Sequence, residues 1–114
     1  MSDVQTYLPL RETTFFILLS LSPAPKHGYA IMVDVESLSD GRVKLSTGTL
    51  YGAIKRLLDQ DLIHRVDDPN PNDTDRERKT YELTEPGRRV LNAEIARLQK
   101  LVSVAQLQTA EGIS

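Results

Sequence analysis

The sequence contains no cysteine, and this absence excludes several classes of protein. Without cysteine the chain has no disulfide framework, no thiolate metal site and no cysteine nucleophile. This composition fits the reducing cytoplasm, and we expect a cytoplasmic protein that uses neither a metal ion nor another cofactor.

Long apolar runs and a surplus of positive charge are absent as well. The longest apolar run, FFILL at residues 15–19, is far too short to span a bilayer. The first ten residues lack the basic and apolar regions of a signal peptide, so we expect no membrane partner. The formal net charge is −2, and any contact with nucleic acid must therefore depend on a local basic patch.

Motifs of common enzymes are also missing. There is no HExxH pair, no phosphate-binding loop and no nucleophile elbow. Neither His27 nor His64 has an acidic partner at a fixed spacing, and an alternating segment such as that around His64 favours a packed or solvated residue. We therefore expect that the protein is not an enzyme.

The apolar pattern predicts a mainly helical domain. A chain of 114 residues with 39% hydrophobic residues suits one modest core. Residues 8–21 predict a first helix with Pro9 in its first turn, apolar on all sides at its centre. Residues 22–28 form a break, and residues 29–39 predict a second helix with Gly41 as its C-terminal cap.

The stretch STGTLYGAIKRLLDQ, residues 46–60, predicts a third helix with Ser46 as its N-cap. Its buried stripe recurs at positions i, i+3, i+4, i+7 and i+8 from Leu50. Gly48 and Gly52 lie on the opposite face, although each glycine costs a helix about 1 kcal/mol relative to alanine. We interpret them as positions where the helix backbone closely approaches a ligand.

Residues 62–66 and 79–84 alternate and predict two antiparallel strands with a long tip between them. Thr84 then caps a long final helix with Pro86 in its first turn. The order predicts a winged helix-turn-helix: a mainly α fold with a small β-hairpin. We expect a DNA-binding domain at residues 1–84 and a C-terminal dimerisation helix and tail at residues 85–114.

The third helix has the chemistry of a DNA-reading helix. Hydroxyls and free amides at a helix N-terminus suit phosphate oxygens, and basic residues further along supply charge. From residue 42 to residue 65 there are five basic residues against two acidic ones, in a chain that is negative overall. The predicted contacts in this region are Ser46, Thr47, Gly48, Thr49, Tyr51, Gly52, Lys55 and Arg56.

Three ordered motifs resemble the PadR-like transcriptional regulators. They are HGYAIM at residues 27–32, STGTLYGAIKRLLDQDLI at residues 46–63 and RKTYELTEPGRRVL at residues 78–91. The likeness extends over roughly residues 8–105. It implies a prokaryotic DNA-binding regulator, usually a repressor, that is a dimer joined through its C-terminal helix.

The resemblance also implies roles for particular residues. Tyr29 would open the second helix near the DNA backbone, and Arg78 and Lys79 would lie at the base of the wing. Asp61 stands where the family usually has a glycine that favours a positive φ, which aspartate tolerates better than most residues. The absence of tryptophan means that drug binding between tryptophans, known in some relatives, does not transfer to this chain.

The predicted wing tip is acidic, which disfavours insertion of the whole wing into a groove. Residues 67–79 carry five acidic residues against three basic ones, and phosphate should repel such a tip. A basic edge formed by Arg76, Arg78 and Lys79 is the better candidate for DNA contact.

Self-association follows from a short heptad seam on the final helix and from the apolar first helix. We expect a two-fold symmetric homodimer. Its predicted interface residues are Phe15, Phe16, Leu91, Ile95, Leu98, Val102 and Ala105.

Two readings of the winged helix remain open. The first is a sequence-specific regulator, acting as a homodimeric repressor on double-stranded DNA with a pseudo-palindromic operator. The alternative is a protein–protein interaction module that uses the same helix face without DNA, which the acidic wing and negative net charge favour. The operator, the regulated genes and any small-molecule inducer are left undetermined.

Overall fold

The computed structural model describes residues 4–66 and 79–113. Within these ranges the chain forms helices and three short strands, which confirms the predicted mainly helical fold with a β-hairpin. In chain order the elements are a 3-10 turn at Val4–Tyr7, α1 at Glu12–Leu21, β1 at Lys26–His27, α2 at Gly28–Leu38, α3 at Thr47–Asp59, β2 at Ile63–Val66, β3 at Thr80–Leu83 and α4 at Glu85–Ile113.

Helix α1 lies at the centre of the core, as its continuous apolar run predicts. It contacts α2, α4 and β3. Ile17, Leu18 and Leu21 are fully buried because α1 has neighbours on several sides. The other elements add their own apolar faces to this core, namely Ile31, Val35, Leu50, Ala53, Ile54, Leu57, Leu62, Ile63, Tyr81, Leu83, Val90 and Leu91.

Helix α3 begins after its predicted N-cap and buries its predicted apolar stripe except for Leu58, which is only partly buried. The Ser46 hydroxyl accepts a hydrogen bond from the backbone N–H of Thr49 at 3.1 Å, which satisfies one of the first amides of the helix. Leu50, Ala53, Ile54 and Leu57 are buried against the core. The face that carries Gly48 and Gly52 is therefore left outside.

The turn from α3 into β2 is a Schellman motif. The N–H of Asp61 donates to the Leu58 carbonyl and the N–H of Leu62 to the Leu57 carbonyl, each at 3.0 Å. Asp61 has φ of 62°, so this position requires the left-handed conformation that glycine prefers and aspartate tolerates. The structure thus confirms that residue 61 takes the positive φ expected at this position.

The start of α4 is attached to this turn by backbone and hydroxyl contacts. The Thr84 hydroxyl accepts from the Gly87 N–H at 2.9 Å and donates to the Asp61 carbonyl at 2.6 Å. The Leu62 carbonyl oxygen also lies so close to Gly87 that a β-carbon there would overlap it. Glycine at residue 87 therefore allows α4 to approach the α3–β2 turn directly.

Three local predictions need correction. Helix α1 begins at Glu12, so Pro9 precedes it rather than forming its first turn. The predicted break contains strand β1, which pairs antiparallel with β3 and makes the sheet three-stranded in the order β1-β3-β2. The first left-handed residue after α2 is Asp40, which follows the C-cap Ser39 and has φ of 56°, and Gly41 follows it in the same motif. A strand of two residues is too short to show a periodicity in the sequence. Strand β1 depends instead on the backbone hydrogen-bonding groups at the edge of β3.

Helix α4 belongs to the core in its first turns and leaves it further on. Val90 and Leu91 are buried with the residues of the preceding elements, so the core continues across the predicted boundary at residues 84/85. Residues 101–110 are all exposed in the single chain. At about 1.5 Å per residue, this second part of α4 projects well beyond the domain.

A buried carboxylate joins α4 to the segment before α1. Glu94 is 2% exposed and accepts a hydrogen bond from the backbone N–H of Leu10 at 3.2 Å. Arg97 donates to both carboxylate oxygens of Glu94, at 2.6 and 2.9 Å. These Arg97 hydrogen bonds hold the pKa of Glu94 below its ordinary value, although burial opposes the shift.

We predict that Gly87→Ala lowers the free energy of unfolding by about 1–3 kcal/mol, because the added methyl group overlaps the Leu62 carbonyl. Gly52→Ala is the matched control, since no described residue has an atom within 4 Å of the position its β-carbon would take. The control should be more stable than the wild type by up to about 1 kcal/mol. Urea denaturation measures both, and equal changes in the two variants would contradict the assigned contact.

We further predict that Glu94→Gln lowers the melting temperature at pH 7 and that the difference from wild type shrinks in acid. The folded-state pKa of Glu94 lies below its ordinary value of 4.5, so its stabilisation is fully present above pH 4.5 and is lost as the pH falls through the folded-state pKa. Thermal melts between pH 7 and pH 3 test this. Glu36→Gln, which changes an exposed carboxylate on α2, is the matched control, and its melting temperature at pH 7 should stay close to that of the wild type.

Candidate nucleic-acid interface

The outer face of α3 is open where sequence analysis predicts close contact. Gly48, Gly52 and Lys55 are all exposed, and they follow one another along this face at spacings of four and three residues. Among the residues that the structure describes, no atom lies within 4 Å of the position a β-carbon would take at Gly48 or Gly52. Packing among these residues therefore does not require either glycine, and they leave the helix backbone accessible from outside.

The hydroxyls at the start of α3 have different roles. The Ser46 hydroxyl accepts from the Thr49 N–H and donates its proton to the Thr49 hydroxyl at 2.9 Å. Ser46 is thus occupied by the helix cap and positions the first turn. Thr47 and Thr49 are exposed beside it, so their hydroxyls are the ones available to a phosphate oxygen.

The side chain of Tyr51 extends from α3 to the start of α2. Its hydroxyl occupies the space that a side chain at Gly28 would need, and the residue keeps 39% of its surface exposed. Gly28 in the HGYAIM motif therefore makes room for Tyr51. The sequence shows both residues, but the contact between them appears only in the folded chain.

The first turn of α2 also faces outward. Tyr29 is 74% exposed, and α2 has no side-chain hydrogen bond at its N-cap, so its first amides lack a capping partner. The N-cap residue His27 instead lies 3.1 Å from the Thr80 hydroxyl through its Nδ1, which links β1 to β3. This placement agrees with the predicted position of Tyr29 at the helix opening.

The two basic residues of α3 lie on different parts of the surface. Lys55 is on the glycine face and forms a loose ion pair with Asp59, at 3.8 Å between Nζ and Oδ2. Arg56 lines a cleft of about 240 Å³ together with Tyr7 and Arg11 of the N-terminal segment. The structure therefore brings Lys55 together with the glycines and places Arg56 on the flank.

The hairpin contributes one described residue of its predicted basic edge. Lys79 is exposed immediately before β3, whereas Arg76 and Arg78 lie outside the described residues. Arg65 on β2 is exposed as well, and it is a basic residue that the predicted contacts did not include. The signal in the sequence that could have identified Arg65 was its spacing of two residues from Ile63. Alternate residues of a strand lie on the same face of the sheet, so Arg65 and Ile63 share the face opposite His64.

His64 has an acidic partner that the sequence did not reveal. Its Nε2 lies 2.9 Å from a carboxylate oxygen of Glu82, directly across the β2–β3 pair. The partner is 18 positions away because the hairpin tip separates the strands. The two side chains are exposed, and no group of three or more potential metal ligands occurs in the described part of the chain.

The predicted dimerisation residues divide into a buried and an accessible set. Leu91 is 2% exposed and packs in the core of the single chain, so it does not contribute to an outward seam. Phe15, Ile95, Leu98 and Val102 instead line an apolar concavity of about 510 Å³. Phe16 contacts Phe15 edge to face at 5.5 Å between ring centroids, and Ala105 is exposed further along α4.

Additional apolar side chains are exposed on α4 outside this seam. Leu101, Val104 and Leu107 are each more than half exposed in the single chain. None of the helices within residues 4–66 and 79–113 combines the length and apolarity needed to cross a membrane.

Comparison with known proteins agrees with the motifs and the fold. The model of the Transcriptional regulator PadR-like family matches residues 17–93. An uncharacterized 37.1 kDa protein from a transposon of Streptomyces fradiae is 30% identical over 90 residues. That match covers 79% of this chain and 24% of the relative, so the chain spans about a quarter of its length.

Solved structures show the same fold. A PadR family transcription regulator from Clostridium difficile is 23% identical, with a TM-score of 0.71, and the match covers 87% of this chain and 99% of that one. Bacillus subtilis PadR, solved in complex with operator DNA, is 24% identical with a TM-score of 0.63. In this case the match covers 75% of this chain and 47% of the other.

The family model matches more than half of the chain, and it includes α2, α3, both hairpin strands and the start of α4. The resemblance seen in the three motifs is thereby confirmed, and the family is one of transcriptional regulators rather than enzymes. The chain belongs to the PadR-like family of transcriptional regulators.

Proposed function

We propose that this protein regulates transcription by binding double-stranded DNA, with α3 in the major groove. The observation that carries the proposal is the open face of α3, where Gly48 and Gly52 leave the backbone uncovered next to Lys55. An α-helix fits the major groove, and the absence of side chains on one face lets its axis come closer to the base edges.

Exposed groups that can bind phosphate occur on α3 itself, on α2 and on the hairpin. Thr47 and Thr49 present hydroxyls at the N-terminus of α3, where the helix dipole favours a negative charge. Lys79 is exposed at the hairpin and Tyr29 at the start of α2. The solved complex of Bacillus subtilis PadR with operator DNA supports this reading through the shared fold.

We also propose that the protein acts as a homodimer through α4. The concavity bordered by Phe15, Leu98 and Val102 is apolar, and residues 101–110 have no contact with their own domain that buries them. A second copy of α4 would cover this seam and present a second α3 by two-fold symmetry. The operator would then be pseudo-palindromic, with half-sites about one helical turn of DNA, roughly 34 Å, apart or a multiple of that distance.

Repression in the cytoplasm is the regulatory mode that we propose. A dimer that occupies an operator can exclude other proteins from that DNA without making a further contact. The alternative of a protein-docking module would use the same α3 face, and it differs in a measurable way: binding through phosphates weakens steeply with salt, whereas docking on a neutral protein surface does not.

We predict that Gly52→Ala stabilises the fold and weakens operator binding in the same variant. The methyl group improves the helix by up to about 1 kcal/mol, but it holds the α3 backbone away from the groove. Gly52→Leu should abolish specific binding in a protein that remains folded. Fluorescence anisotropy with duplexes from the neighbouring intergenic DNA, together with thermal melting, measures both effects.

Asn92→Ala is the control for these variants. Asn92 is exposed on α4, so the substitution raises helix propensity without altering α3. Its DNA affinity should equal that of the wild type. If both Gly52 variants also bind DNA with wild-type affinity, α3 does not face DNA and the protein-docking alternative takes its place.

We predict that Leu98→Glu yields monomers or aggregates, because it places a charge in the apolar seam. Ala96→Glu introduces the same charge two residues away, on the opposite side of α4 and at an exposed position. That control should remain dimeric. Analytical ultracentrifugation at micromolar concentration distinguishes them, and a soluble Leu98→Glu dimer would refute the proposed interface.

A further inference from the structure

A cleft of about 240 Å³ separates the second half of α3 from the segment that precedes α1. Its first wall consists of residues between 6 and 11 together with Thr14 of α1. Its second wall consists of residues of α3 and the turn after it, namely Ala53, Arg56, Leu57, Gln60 and Leu62. The cleft therefore lies between two parts of the chain that are far apart in the sequence.

The two walls are held by different neighbours. The 3-10 turn at Val4–Tyr7 packs on α4, and the backbone N–H of Leu10 donates to the buried Glu94 carboxylate at 3.2 Å. The first wall is thus fastened to α4. Helix α3, which forms most of the second wall, packs on α2 and β2. A ligand that contacted both walls would fix the position of α3 relative to α4.

Each wall contributes one arginine to the cleft. Arg11 lies on the first wall and Arg56 on the second, and both residues are exposed. Neither guanidinium has a hydrogen bond or an ion pair within residues 4–66 and 79–113, whereas Arg97 is paired with Glu94. None of the described residues that line the cleft is acidic. Two uncompensated positive charges therefore border one cleft in a chain whose formal net charge is −2.

The rest of the lining is largely apolar. Ala53, Leu57 and Leu62 are 7%, 2% and 1% exposed, so they form the floor of the cleft, while the exposed arginines lie at its rim. A short carbon chain on this floor would lose contact with water, and charged groups at its two ends would remain within the reach of the guanidiniums.

This combination of charge and apolar surface suits a small molecule with two carboxylates. A guanidinium binds a carboxylate through two parallel hydrogen bonds, which gives the pair both strength and a fixed geometry. The volume lies below the range of roughly 300–1,000 Å³ that is typical of sites for drug-sized ligands, so the occupant has to be small. An inorganic dianion would match the charge but would leave the apolar floor uncovered.

We propose that the cleft binds a short dicarboxylic acid, with one carboxylate on Arg11 and the other on Arg56, and that this ligand regulates DNA binding. The binding site does not depend on DNA, whereas its regulatory role rests on the proposed function. By joining α3 to the wall that is fastened to α4, the ligand favours one spacing of the two α3 helices in the dimer. DNA affinity changes accordingly, because the ligand and the operator act on the same arrangement.

Isothermal titration calorimetry with succinate, glutarate and adipate tests the site in the full chain without DNA. At about 0.15 M salt the attraction between distant charges is screened. At least one of the three diacids should bind with a dissociation constant below about 1 mM. Arg11→Gln and Arg56→Gln should each weaken this binding by about tenfold or more, because each variant loses a charge-assisted pair.

Arg89→Gln is the matched control. It also removes the charge of an exposed arginine, but Arg89 lies on α4 and does not line the cleft, so its affinity for the diacid should equal that of the wild type. Arg11 makes no side-chain hydrogen bond as the N-cap of α1, and its replacement leaves that helix start intact. Thermal melting of all three variants establishes that they are folded.

Two further ligands test the chemical class. The monocarboxylate with the same chain length as the best diacid keeps the apolar contact and loses one charge. Sulfate keeps both charges and has no carbon chain. Each should bind about tenfold more weakly than the diacid or worse. Equal binding of either one would refute a dicarboxylate site, as would the failure of all three diacids to bind or wild-type affinity in both cleft variants.

The regulatory role is measured separately, by fluorescence anisotropy with duplexes from the neighbouring intergenic DNA. A saturating concentration of the diacid should change the DNA affinity of the wild type by about fivefold or more, and Arg11→Gln should abolish this effect. If the diacid binds and the wild-type DNA affinity stays the same, the regulatory role is refuted. If the wild type binds no duplex, the proposed function fails, and the calorimetry still decides whether the site exists.

Discussion

The close contact between Gly87 and the Leu62 carbonyl is the constraint on which the arrangement of this protein depends. The turn after α3 and the first turn of α4 meet there with no side chain between them. Thr84 adds hydrogen bonds to both sides, to the Asp61 carbonyl and from the Gly87 N–H. The end of the proposed reading helix and the start of the proposed dimerisation helix are therefore joined through backbone groups, which do not change rotamer.

This junction has a consequence for a dimer that binds DNA. The distance between two copies of α3 has to match the spacing of the operator half-sites, and that distance depends on how each α3 is held relative to α4. Side chains at the junction could change rotamer and allow α3 to shift relative to α4, whereas a direct backbone contact fixes their relative position. Glu94 strengthens the same frame about two turns further along α4, because it ties the segment before α1 to this helix.

The glycines in the three motifs occur at their positions for different physical reasons. Gly28 makes room for the Tyr51 phenol and Gly87 for the Leu62 carbonyl, so both serve packing within the chain. Gly48 and Gly52 face open space, and no contact within residues 4–66 and 79–113 accounts for them. Glycine in a motif is thus a sign of close approach, but only the three-dimensional neighbourhood shows whether the approaching group belongs to the same chain or to a ligand.

The sequence by itself determined the helices, the hairpin strands and the helix caps at Ser46 and Thr84, because each depends on local periodicity or on a hydrogen bond within a few residues. The left-handed turn at Asp61 was expected from the family resemblance. Tertiary structure alone decided strand β1, the burial of Leu91, the His64–Glu82 pair and the position of Arg65 opposite Tyr81. These features join residues that are far apart in the chain, and which distant groups meet is fixed by how the apolar faces pack around α1.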